Sequence, residues 1–222
     1  MASVSLGQVS APQPGPALLS SVESQGSASH PYCVSPQLLG GPQASRNLAD
    51  AIHFLCALHG RHPGVIELVA MRNVEREARA WLSETAEAFA RERTYLANLA
   101  VQAGPVPATP GTGSEAVVAM QRNAIMTIAQ SERRGCAIGA ALAIAADWGV
   151  VRQVMDSAAA RFGIDLPRPW RAGEPAAIHN VVEALGDSPA VSRALLFGAE
   201  QVAIQHRGLW ELLAARADAR AA

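Results

Sequence analysis

Five side chains able to bind a metal or carry a proton recur at every third position: Asp50, His53, Cys56, His59 and His62. Residues three apart on a helix are neighbours, so adjacent members of this run can converge on one ion. A step of three falls about 60° short of a full helical turn, however, so the five cannot share a face. His59 lies beside the apolar face of Ile52, Leu55 and Leu58, and His53 points to the opposite side. The plainer role for His59 and His62 is at a helix C-terminus, where the dipole favours positive charge. Cys56 and His59 also have the composition of a nucleophile and its base. A cysteine nucleophile needs an electropositive, accessible setting and an oriented histidine, and a helix flank supplies neither.

A second group consists of polar residues at positions that helical spacing assigns to apolar stripes: Glu92, Gln121, Glu132, Gln153, and His206 among Val202, Leu209 and Leu213. Buried charge is costly unless paired, so each needs a partner or a ligand. With Glu67 added, His59, Glu67, Glu132 and His206 are the candidate ligands of a divalent metal held inside a helical bundle. Carboxylate-bridged bundles place Glu-x-x-His on two of their helices, and this chain contains no such motif. Register also separates the carboxylates, since Glu132 lies about seven residues, or about 10 Å, deeper than Glu92. His206 should sit closer to the level of Asp147 than to that of Glu132. The expectation is therefore structural: each polar intruder has one local partner, and no catalytic residue is assigned.

The elements that position these groups are helices. Val65 to Ala103 and Ser114 to Phe162 keep apolar or small residues at helical spacing without a proline, separated by a breaker-rich stretch around Pro105, Pro107 and Pro110. The spacing predicts a long antiparallel helix hairpin. One stripe runs through Met71, Val74, Ala78, Leu82, Thr85, Phe89, Leu96 and Leu99, and the facing one through Val118, Ile125, Ile128, Gly135, Gly139, Leu142 and Ala146. Gly135, Gly139 and Ala143 form a small-residue ridge that admits a neighbouring backbone. A helix over Asn47 to Leu58 precedes the hairpin. A short one from Pro175 to Leu185 follows it, then a last one that starts at Ser188-Pro189 and reaches about Ala217. From Met1 to Ser45 the chain is rich in Ser, Pro and Gly, carries one charge, Glu23, and predicts a disordered tail.

Composition excludes several chemistries. All eighteen basic residues are arginine, which removes Schiff-base lysine chemistry and a lysine-bearing phosphate loop, and matches the codon usage of a GC-rich bacterial genome. A net charge of -1 gives no reason to expect nucleic acid, and Arg133-Arg134 is too short a basic patch to change that. Gly111-Thr-Gly113-Ser114 lacks the preceding strand of a phosphate loop and reads as a helix N-cap. Cys33, Cys56 and Cys136 are no disulfide framework, and Met1 to Pro16 lack the features of a secretory signal, so a reducing, cytoplasmic setting is expected. Cys136 to Val151 is apolar nearly all round, but shorter than the roughly 20 residues a membrane span needs. It reads as the core helix of a bundle.

The sequence thus predicts an all-α bundle over residues 46–222 behind a tail over residues 1–45. The expected function is that of a non-enzymatic interaction or structural protein, partnered by protein, with copies of itself as one candidate partner. The alternatives are an oxidoreductase-like metal bundle and a binder of an apolar small molecule between helices. No cofactor is favoured, and a divalent metal is the alternative.

Overall fold

The computed structural model of the chain describes residues 13–109, 113–186 and 188–221, and these are helical without a strand. The helices are α1 (Pro14–Gln25), α2 (Pro36–Leu39), α3 (Ala44–His59), α4 (Val65–Arg72), α5 (Arg76–Gln102), α6 (Ser114–Ala129), α7 (Cys136–Phe162), α8 (Pro175–Ala184) and α9 (Pro189–Ala221). Short 3₁₀ turns at Ser27–Ser29 and Pro31–Val34 join α1 to α2. The all-α class read from the periodicity is the observed one.

The expected hairpin is interrupted in both arms. At the end of α4 the Asn73 side chain accepts from Glu75 N at 3.2 Å and donates to Glu75 O at 2.7 Å. Such a local loop competes with the helical ladder and starts a new helix, α5. Met71 and Val74, assigned to the buried stripe, are consequently 66% and 81% exposed. The other arm breaks after Ala129, because Gly135 takes φ +90°, a left-handed conformation that only glycine adopts without penalty. The two breaks are tied together by Arg134, which grips Glu75 with two bonds of 2.9 and 3.1 Å. As a result α5 and α6 do not form a two-helix hairpin; α3 packs against both, and α7 occupies the centre.

Helix α7 is long and apolar enough to cross a membrane by length and composition alone, yet 78% of its most apolar window is buried by neighbouring helices. Its closest partner is α9. A Cβ on Gly139 would collide with the carbonyl of Leu195, and one on Gly198 with the carbonyl of Cys136. The ridge expected from the sequence is therefore real at Gly139, and α9 answers it with a glycine of its own.

The tail boundary is corrected. Residues 1–12 lie outside the described residues, but from Pro14 onward the segment is folded and packs on α7, α8 and α9. Leu18 and Val22, one turn apart, are buried, as are Tyr32, Cys33 and Leu38. Few apolar residues suffice because nearly all of them are covered, and prolines in the first turns of α1 and α2 reduce the entropy lost on ordering.

Candidate functional site

The most buried polar cluster joins this N-terminal segment to α7 and α9. Asp147, on α7, accepts from the Ser27 backbone N–H at 2.9 Å, from the Ser27 hydroxyl, and from His206 Nδ1 at 2.6 Å. Trp210 Nε1, one turn beyond His206 on α9, donates to Ser27 Oγ at 2.7 Å. Asp147 thereby orients the His206 ring, with Nδ1–H aimed at the carboxylate. His206 meets Asp147 at the level the register predicted, and the serine that completes the cluster comes from the supposed tail.

Beside it lies His59, whose ring meets that of His206 edge to face with centroids 4.9 Å apart. His59 also touches Trp148 and, through it, Phe89. Among the described residues neither His59 Nε2 nor His206 Nε2 has a hydrogen-bond partner. Burial, with His206 and Arg93 adding their charge, holds His59 well below the usual histidine pKa, so it is neutral.

The four candidate metal ligands do not assemble. Glu67 is consumed by Arg93 and by the Gly64 N–H at 3.0 Å, where it caps the start of α4. Glu132 is exposed in the break before α7, so its place on a buried stripe is corrected: the helix that was to bury it ends at Ala129. Only His59 and His206 come together, and among the described residues no group of three or more His, Cys, Asp or Glu is placed to hold a metal. The periodic run is equally dispersed. Asp50 holds Arg216 with two bonds of 2.8 Å and Arg220 at 2.6 Å, His53 meets the Gly104 carbonyl at 2.8 Å, and His62 accepts from Arg93 at 3.3 Å.

Of the stripe residues, Glu92 and Gln121 are buried and Gln153 is exposed. Glu92, on α5, accepts from Trp148 Nε1 at 3.0 Å and from Arg152 Nη1 at 2.8 Å. Burial pushes its carboxyl above the usual range, and those two donors pull it back. Arg152 does more than neutralise Glu92. It also bonds Asp156 at 2.7 Å and the carbonyls of Pro167 and Arg168 at 3.0 and 3.1 Å, fastening the loop between α7 and α8 over α5.

Under that loop is a cavity of about 450 Å³ with Glu92 at its floor and Trp170 in its wall. The Trp170 indole donates to the Ala145 carbonyl at 3.0 Å, which fixes the ring, and Phe89 lies behind it with centroids 6.1 Å apart. Pro167 and Pro169 restrict the loop backbone, so the cavity is formed without a ligand. Arg91, Arg168 and Arg171 line it as well. In the sequence this segment carries prolines two apart, Pro167 and Pro169, and Glu92 stands out as an intruder on an apolar stripe. Nothing in the linear pattern linked them, because the link is Arg152 spending its donors on backbone carbonyls far along the chain.

Fold and site together define an all-α bundle protein with a buried polar core and a loop-walled cavity beside Glu92. The chain belongs to a family of unknown function, DUF6975, which it matches over residues 22–221. No curated protein and no solved structure matches it.

Proposed function

We propose that the chain works by binding rather than by catalysis, and that it holds a small molecule with an apolar body in the cavity between α5 and the loop of residues 163–174. The observation that carries this reading is the preformed cavity of about 450 Å³ walled by the fixed Trp170 ring. That volume lies within the range of about 300–1,000 Å³ typical of ligand pockets. The carboxylate at its floor is already occupied by Trp148 and Arg152, and no nucleophile with an oriented base stands beside it, which favours holding a ligand over transforming one. N-phenyl-1-naphthylamine, a neutral two-ring dye whose fluorescence rises in apolar surroundings, is a direct probe. Wild type should bind it with saturation, and Trp170→Ala should lose that binding while melting cooperatively. Absence of saturable binding, or equal binding by the variant, contradicts the reading. Cytoplasmic location and self-association are expectations attached to it, checked by cell fractionation and by mass in solution.

A second reading, a metal ion inside the bundle, draws on the facing His59 and His206 rings and on Asp147 behind His206, the carboxylate–histidine arrangement common behind metal ligands. Two imidazoles alone fall short of a tetrahedral divalent site. Stoichiometric zinc, iron or manganese that survives dialysis and is lost in His206→Ala would establish it, and metal-free wild type with unchanged stability in chelator would dismiss it.

A further inference from the structure

We infer that the ligand of this cavity is an organic anion, an aromatic ring body bearing a carboxylate or sulfonate. The inference rests on the binding reading above and adds the ligand's charge. Four charged residues line the cavity, and two of them are answered within the protein. Glu92 is paired with Arg152 at 2.8 Å, and Arg171 is bridged to Glu174 at 2.9 Å. Arg91 and Arg168 remain, one from α5 and one from the loop, and among the described residues neither has an ion-pair partner. The cavity is thus cationic at its rim and apolar along its wall. Guanidinium groups pair a planar carboxylate through two parallel N–H donors, which favours a ligand with one acidic end over a neutral or basic one. The fixed face of Trp170 suits the other end, since a ring stacked there needs no rearrangement of the protein. Arg152 fastens the backbone that carries one of these arginines, donating to the Arg168 carbonyl at 3.1 Å.

Two dyes with the same rings separate charge from shape: 1-anilinonaphthalene-8-sulfonate, an anion, and N-phenyl-1-naphthylamine, its neutral counterpart. On the full chain at low ionic strength the anion should bind at least about tenfold more tightly, the scale of one charge-assisted pairing. The preference should shrink as salt is added, and Arg91→Gln combined with Arg168→Gln should abolish it while leaving the neutral dye's affinity unchanged. Equal affinities for the two dyes in wild type, or an anion preference that survives in the double variant, overturn the inference and leave the cavity reading in place. Failure of both dyes to bind, or binding of both that is indifferent to Trp170→Ala, removes the cavity reading and the inference with it.

Discussion

His206 Nδ1 lies 2.6 Å from Asp147 Oδ2 in the interior of the bundle, where the two side chains are 2% and 1% exposed. Ser27 supplies two further donors to the same carboxylate. The cluster is what makes three distant segments, α7, α9 and the N-terminal turn, a single packed unit. Removing the acceptor strands its donors in a buried site.

Asp147→Ala is accordingly expected to lower stability by about 3–5 kcal/mol, the usual cost of breaking one side of a buried charged pair. Urea unfolding reads this directly. A midpoint within error of wild type would mean that the cluster is not a structural keystone.

Ser27→Ala removes one hydroxyl that both donates to Asp147 and accepts from Trp210, and should cost about 1.5–3 kcal/mol. A chain beginning at Ala44 loses Ser27 together with the buried Leu18, Val22, Tyr32, Cys33 and Leu38, and should no longer unfold cooperatively. Calorimetry of the truncated protein checks it; a sharp transition near the wild-type temperature would show that the segment is an accessory.

Much of this was legible before the fold. The all-α class, the proline starts of α8 and α9, the close approach at Gly139 and the level of His206 all follow from spacing and register, which are local properties. The helix breaks were not, because Asn73 and Gly135 sit inside otherwise helical patterns and act through a side-chain turn and a positive φ that periodicity does not register. The N-terminal segment escaped because its apolar residues are sparse and irregularly spaced, although Leu18, Val22, Tyr32, Cys33 and Leu38 are buried. The cavity escaped because its construction depends on Arg152 reaching carbonyls fifteen and sixteen residues away. No stripe or motif encodes such a contact.

The glycines of α7 offer a matched pair. Gly139→Ala places a methyl group against the Leu195 backbone and should destabilise by about 1–3 kcal/mol, overriding the better helix propensity of alanine. Gly149, in the same helix, has open space where its Cβ would stand, so Gly149→Ala should stabilise by about 0.5–1 kcal/mol. Opposite shifts in thermal midpoint are expected; shifts of the same sign would contradict the α7–α9 seam.

His59 gives the pH dependence a sign. Its folded pKa is depressed, so below about pH 6.5 the unfolded chain binds the proton that the folded chain refuses, and stability falls with pH. Glu92 acts in the opposite sense, because burial raises its pKa and the folded state holds its proton longer. The difference between wild type and His59→Leu isolates the histidine. Between pH 6.5 and 5 wild type should lose more stability than the variant. Parallel pH profiles would place the His59 proton affinity near its ordinary value.

Binding at the Trp170 wall is tested most directly by the tryptophan indole N–H resonances during titration with either naphthalene dye, the Trp170 signal being assigned from Trp170→Phe. A ligand in the cavity should shift the Trp170 resonance to saturation and leave that of Trp210, sealed against Ser27, where it was. A dye that binds while Trp170 stays fixed would place the ligand elsewhere on the bundle and contradict the proposed function.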